Sequence, residues 1–377
     1  MENYLDNSAT TAVFPQAAQV VYDVLTNKYG NPSSLHRKGL EAELVLKSAR
    51  ETVAGELHVP SETIYFTSGG TEANNIALFG AVALQRKPGA RLVATAIEHD
   101  SVLAALKELE RQGYEVVLVS PDSNGEITPR AMAEAVDENT ILVSAMAVNN
   151  ELGTVLDAAS IAKEVKRKNP NVIVHCDAVQ AFCKVPLRFG FGYTDMVTVT
   201  GHKIHAPKGV GALYVNKRIK LPPRAFGGHQ ENGLRPGTQA CALIAGFGEA
   251  IKLCQKDAIE VSQGIKQLNA LLKERLAAVS GVEINSPDNA LPYILNLSVP
   301  GIRSEIMMHF LEERGIYVSS GSACAQGAKS HVLAAAGISP ERIDSALRVS
   351  LCRYNTAEDI NSFVDALAEG IASIRRA

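Results

Sequence analysis

The chain has 377 residues, 37 basic side chains against 40 acidic ones and a formal charge of −3, a balance that excludes a protein gripping nucleic acid through a general excess of lysine and arginine. Hydrophobic residues make up 46% and charged residues 20%, the proportions of a globular protein of two or three domains at roughly 100–200 residues each. No apolar stretch reaches the roughly 18 residues of a transmembrane helix, and the start of the chain lacks the basic and apolar regions of a secretion signal, so a cytoplasmic protein without a membrane partner is expected.

In chain order, residues 4–11 read as an irregular stretch packed near the functional site. From about 60 to 215, short β-branched runs alternate with amphipathic helical windows, the signature of a parallel α/β sheet. The strands are expected over 63–67, 91–97, 115–120, 141–148, 172–177, 196–200 and 211–215, and the intervening helices over 71–85, 101–112, 129–136 and 158–168. Residues 236–276 read as one long helical region. Beyond it, strands at 282–284, 292–299, 316–319 and 347–351 interleave with helices at 303–314 and 357–375. The expected organisation is a large domain over 15–254, with a mainly parallel seven-stranded sheet, and a smaller α/β domain formed by 1–14 and 255–377.

Ligands of open parallel sheets sit beyond the carboxyl ends of the strands, and polar residues concentrate there. After the first strand, Thr67-Ser68-Gly69-Gly70-Thr71 opens a helix whose unpaired N–H groups suit a phosphate, although the same residues also serve as a plain helix cap. Neither nucleotide-binding glycine fingerprint is present. His99 follows the second strand and Asn149-Asn150-Glu151 the fourth; alone, these read as a helix start and a turn. Asp177 ends an apolar run, where a carboxylate is costly unless paired; its partner is an arginine or a cofactor ring nitrogen. Lys203 follows the sixth strand. A lone lysine is usually solvated, but one beside a phosphate cradle and a strand-end acid completes the parts of a pyridoxal phosphate site.

Six cysteines without a C-x-x-C pair form neither a disulfide framework nor a zinc site, and no metal is expected. Cys176, Cys183 and Cys352 lie in apolar patterns that read as core. Cys324, among Gly, Ser and Ala, reads instead as an available nucleophilic thiol.

Taken together, Tyr4-Leu5-Asp6-Asn7-Ser8-Ala9-Thr10-Thr11, Gly30-Asn31-Pro32-Ser33-Ser34, the loop at 67–74, Glu98-His99, Asn149-Asn150-Glu151, the run 175–180, Gly201-His202-Lys203, Gly227-Gly228-His229-Gln230-Glu231, Arg235-Pro236-Gly237-Thr238, the segment 319–324 and Leu347-Arg348-Val349-Ser350 make the chain resemble cysteine desulfurases of the NifS/IscS type. These belong to the class V aminotransferases of pyridoxal-phosphate fold type I. The resemblance implies pyridoxal 5'-phosphate as cofactor and conversion of L-cysteine to L-alanine, with sulfur leaving as a persulfide on Cys324. By position it gives Lys203 the Schiff base and the proton transfer, Asp177 the pyridine nitrogen, Gln180 the ring hydroxyl, and His99 ring stacking and proton movement. Gly70, Thr71, Thr200 and His202 would hold the phosphate, with Thr238 reaching in from the other subunit of a homodimer. Asn150 and Arg348 would grip the substrate carboxylate, the arginine through its bidentate fork. The implied partner is a sulfur acceptor or iron–sulfur scaffold protein.

Departures from the family pattern are Thr200 for Ser, Ala206 for Gly, Leu156 for Gln, and a segment after Cys324 a couple of residues short, which removes about 7 Å of reach. A selenocysteine or cysteine-sulfinate lyase or an aminotransferase would keep Lys203 and Asp177 without needing Cys324. A non-catalytic sulfur-transfer scaffold would need none of the three.

Overall fold

The structure, a computed structural model, describes residues 2–85, 87–122, 125–187, 192–320 and 330–374. The chain opens with β1 (Asn3–Tyr4), α1 (Pro15–Thr26) and α2 (Arg37–Leu57). An alternating series follows: β2 (Ile64–Thr67), α3 (Gly70–Gln85), β3 (Arg91–Thr95), α4 (Asp100–Arg111), β4 (Glu115–Val119), α5 (Pro129–Glu134), β5 (Thr140–Ser144), α6 (Ala158–Lys168), β6 (Ile173–Asp177), β7 (Met196–Thr200) and β8 (Gly211–Val215). Next come α7 (Cys241–Lys256), α8 (Ala258–Ala277), β9 (Glu283–Ile284), β10 (Ile294–Ser298), α9 (Ser304–Glu312), β11 (Ile316–Tyr317), α10 (His331–Ala335), α11 (Pro340–Asp344), β12 (Ala346–Ser350) and α12 (Ala357–Ile374).

Strands β2 to β8 form one seven-stranded sheet in the order β2-β8-β7-β6-β5-β3-β4. The expected α/β class and mainly parallel sheet are found, with β3 to β7 parallel and β8 antiparallel to both its neighbours. Every residue of β5, β6, β7 and β8 is buried, as in strands covered by helices on both faces, which are mostly apolar along their length. Since β8 runs antiparallel to both β2 and β7, those two strands run the same way and end on the same side of the sheet, and Gly211 pairs with both Thr67 and Thr200. A Cβ on Gly211 would lie 2.8 Å from the Val199 carbonyl oxygen and 2.9 Å from Gly69 Cα. Glycine is required there so that the entry to α3 can close on the sheet.

A three-stranded antiparallel sheet, β12-β10-β9, puts Arg348 opposite Asn296. The N-terminal stretch is irregular apart from β1, which pairs in parallel with β11, and Asp6 bridges to Ser350. Residues 236–276 depart from the single helix expected. Asp257 leaves helical geometry at φ −136, and its carboxylate is held bidentately by Arg353 at 2.8 and 3.1 Å, which separates α7 from α8. Residues 236–240 are not helical, with Gly237 at φ 106.

The periodicity did not single out α1 and α2. Tyr22, Leu25, Leu40 and Leu44 are exposed on them and blur the apolar stripe, yet both helices pack on α7. One continuous core runs from Phe66, Val199 and Phe247 to Leu297, Leu347 and Phe363, joining the large sheet to the C-terminal elements. Each such buried phenylalanine or leucine contributes roughly 1.5–3 kcal/mol relative to exposure. The site is therefore carried on a rigid base.

Candidate active site

The carboxyl ends of β2, β3, β5, β6 and β7 converge with the N-terminal stretch and β12 around a cavity of about 270 Å³. Asp177 is the last residue of β6 and is almost wholly buried. Its Oδ1 accepts the Val179 N–H at 2.9 Å and its Oδ2 accepts Asn74 Nδ2 at 2.8 Å. Asn74 lies four residues after Gly70 on α3, a spacing that puts both on one helix face. From β7 the chain turns through Gly201 to Lys203, whose Nζ donates to the carbonyls of Ser8 at 2.5 Å and Ala9 at 2.7 Å. Gln180 Nε2 donates to the same Ser8 carbonyl at 3.0 Å, and its Oε1 accepts Lys184 Nζ at 3.2 Å. One peptide of the N-terminal stretch thereby registers the lysine against the glutamine.

His99 caps α4: its Nδ1 accepts the Ser101 backbone N–H at 3.1 Å and lies 2.9 Å from Ser101 Oγ. Arg348 is buried on β12, with Nη1 donating to the Asn150 carbonyl at 2.9 Å and Nη2 paired with Asp6 at 2.7 Å. Its Nε, the Asn150 Oδ1 and the Asn74 Oδ1 are buried with no hydrogen-bond partner among the described residues. Such orphaned groups are costly unless a ligand or water meets them. The unpaired Arg348 Nε–H at one end of the cavity suits a carboxylate, which the Asn150 amide would meet through its Nδ2 rather than its Oδ1.

Desolvation sets the electrostatics. Burial, with the negative charge of Asp177 nearby, pushes the Glu98 carboxyl up to about 8. Burial holds His175 down at about 4, between Ser144 Oγ and Thr198 Oγ1 at 2.9 and 3.0 Å. His202 is likewise lowered to about 4 by burial and by the adjacent Lys203, so it faces the cavity as a neutral ring. Burial lowers Lys184 to about 8. Near neutral pH burial thus keeps Glu98, His175 and His202 uncharged, while Lys184 remains mainly protonated.

Ten of the residues singled out in the sequence line this one cavity: Gly70, Thr71, His99, Asn150, Asp177, Gln180, Thr200, His202, Lys203 and Arg348. Thr200 Oγ1 donates to the Val210 carbonyl at 3.2 Å. Thr238 is exposed and does not line the cavity of its own chain. Arg235, close by, ties that segment to the start of α3 through Glu72 at 3.0 Å. Cys324 lies outside the described residues. The flanks of its segment are fixed: Ser319 exchanges backbone hydrogen bonds with Arg348, and Ser330 Oγ donates to buried Glu151 at 2.6 Å. Sequence reasoning placed Asn74, Glu98, Ser8 and Ala9 in motifs but gave them no role, and it missed Ser101 and Lys184. For Asn74 a signal existed in its four-residue spacing from Gly70; the carbonyls of Ser8 and Ala9 carry none.

Among the described residues no helix is long and apolar enough to cross a membrane, and no group of His, Cys, Asp and Glu could hold a metal. The family described as Aminotransferase class-V matches residues 3–363. A cysteine desulfurase of Nostoc sp. is 39% identical over 380 residues, covering 99% of this chain and 93% of the relative. A solved NifS-like protein superposes with a TM-score of 0.92 at 37% identity, over 98% of this chain and 99% of that one. A second structure, of SspA in complex with cysteine, gives 0.82 at 33% identity over 94% and 100% of the two chains. With the family match spanning residues 3–363 and these relatives covering at least 93% of each chain, the protein belongs to the class-V aminotransferase family.

Proposed function

We propose that the protein is a pyridoxal 5'-phosphate-dependent cysteine desulfurase that converts L-cysteine to L-alanine and passes the sulfur, as a persulfide on Cys324, to an acceptor or iron–sulfur scaffold protein. The observation that carries this reading is the convergence of Lys203, Asp177 and Arg348 on one cavity. The donor set fits the cofactor: Asp177 keeps lone pairs beyond its two accepted hydrogen bonds for a pyridinium N–H. A Cβ on Gly70 would press on Val179 Cγ2 at 3.0 Å, so glycine keeps close quarters at the start of α3, a helix terminus suited to phosphate. Gly70, Thr71, Thr200 and His202 would hold that phosphate, and Gln180 Nε2 retains one hydrogen for the ring hydroxyl. The names of the Nostoc relative and of the SspA complex support L-cysteine as substrate.

When bound, the cofactor supplies an electron sink for the pair left at the substrate α-carbon. Arg348 Nε and the Asn150 Nδ2 orient the substrate by donating to its carboxylate, while Asp6 holds the guanidinium in place from behind. Lys203 Nζ, once released from its carbonyl partners, takes the α-proton and later returns it. The Cys324 thiolate attacks the substrate sulfur: an S–S bond forms, the C–S bond breaks, and its electron pair stays with the three-carbon fragment. That fragment leaves as alanine after taking up protons. The balance is one cysteine and one enzyme thiol to one alanine and one enzyme persulfide, and a thiol reductant then releases sulfide.

A homodimer completes the site in this reading, with Thr238 supplied across the interface. The exposed apolar side chains of α1 and α2, with Phe226 and Leu35, support such a contact. The test is alanine and sulfide formation from L-cysteine with a small-thiol reductant. Equal yields are expected from the wild type, with collapse of both in Cys324→Ser while the cofactor stays bound. Normal sulfide release by that variant would overturn the assignment of the nucleophile, and no alanine from the wild type would overturn the reaction.

A further inference from the structure

The polar groups around His99 form a single directed chain. Asn74 Nδ2 gives one hydrogen to Asp177 Oδ2 and the other to Ser101 Oγ, each at 2.8 Å. The amide cannot be reversed, because its oxygen would then face the carboxylate. Ser101 Oγ, already accepting from Asn74, lies 2.9 Å from His99 Nδ1, and the Ser101 backbone N–H also points at Nδ1 at 3.1 Å. A backbone N–H can only donate. Nδ1 therefore carries a lone pair that two donors share, and the ring proton sits on Nε2, which makes no hydrogen bond to a described residue. A proton on Nδ1 would oppose the backbone N–H and break the cap of α4.

We propose that Asn74 and Ser101 are positioning residues that hold His99 as its Nε2–H tautomer, so that the ring meets a bound substrate only as a hydrogen-bond donor and the α-proton is left to Lys203. This rests on the reading of the cavity as the cofactor and substrate site. The direction of the chain originates at Asp177: the carboxylate demands donors, which orients the Asn74 amide, which orients the Ser101 hydroxyl, which fixes the imidazole. One acid thus sets both the cofactor ring nitrogen and the tautomer of the residue beside it. The chain also explains why the Asn74 Oδ1 is left without a partner: both amide hydrogens are committed, and the oxygen has to face away from the carboxylate.

The test is solid-state 15N spectroscopy of the cofactor-loaded protein labelled at the histidine nitrogens, with His99 assigned by difference against His99→Gln. The wild type should show a bare Nδ1 and a protonated Nε2 at His99; a protonated Nδ1 with a bare Nε2 would overturn the proposal. Ser101→Ala should move the Nδ1 resonance toward that of an imidazole nitrogen without hydrogen bonds. Asn74→Ala should move it the same way by less, and Ser101→Thr, which keeps the hydroxyl, should restore it. An Nδ1 resonance unmoved in both alanine variants, with the other histidine signals unchanged, would remove Asn74 and Ser101 from the proposal. The wild-type tautomer answers independently of whether a variant folds. It is also read before substrate is added, so a protein that released no sulfide from L-cysteine would refute the desulfurase reading and leave this one standing.

Discussion

Replacing Glu98 by glutamine should flatten the dependence of stability on pH. Glu98 is fully buried three residues beyond β3; its Oε1 accepts from Thr95 Oγ1 at 2.6 Å and from the Met146 N–H at 2.7 Å, while Oε2 has no partner among the described residues. Burial first, and then the negative charge of Asp177, raise its carboxyl from the ordinary 4.5 to about 8. Below 4.5 the group is protonated whether the chain is folded or not, and stability is unaffected. Between 4.5 and about 8 the unfolded chain releases the proton and the folded one keeps it, so stability falls as pH rises; above 8 the loss is complete. At roughly 1.4 kcal/mol per pH unit, the full loss is about 5 kcal/mol. Glutamine has no proton to release and presents an oxygen and a donor as the neutral acid does, so it should remove that slope. The assay is thermal unfolding by circular dichroism from pH 5 to 9, since the chain has no tryptophan, at fixed cofactor content. The variant should gain on the wild type by on the order of 5 °C between the two ends of the range. Parallel profiles for the two proteins would refute the reasoning.

Arg348→Lys keeps the charge but loses the planar fork that reaches the Asn150 carbonyl, Asp6 and a substrate carboxylate together; KM for L-cysteine should rise roughly 10- to 100-fold, and an unchanged KM in steady-state kinetics would contradict it. Glu231→Gln leaves Arg50 without its bidentate partner at 2.7 and 2.8 Å. The expected cost is about 2–4 kcal/mol in urea unfolding, at the low end because the Arg50 side chain keeps 21% exposure. Lys203→Ala should lose both the visible absorption of the lysine-bound cofactor and all turnover; retained absorption would point to another amine, with half-buried Lys184 the first to examine.

Much of this protein is written locally. The seven strands of the large sheet and the four helices between them follow from apolar runs and helical spacing, because strands buried on both faces admit little else. Asp177 and Lys203 stand out because each is a charged residue at the end of such a run. Folding settled what local pattern could not express. Arg348 meets Asp6 across 342 positions, and the carbonyls of Ser8 and Ala9 receive Lys203 across more than 190; a backbone carbonyl has no letter of its own in a sequence. The break at Asp257 depends on Arg353, a partner 96 residues away. The proton on Glu98 depends on the packing around it, and the direction of the Asp177, Asn74, Ser101 and His99 chain on polar groups brought together from β6, α3 and α4. The sequence by itself determined which groups could do chemistry, since side-chain type and periodicity are local properties. Only the tertiary structure decided which of them share a cavity, which way their hydrogens point and which stay neutral, since distance, donor geometry and burial exist only after the chain has packed.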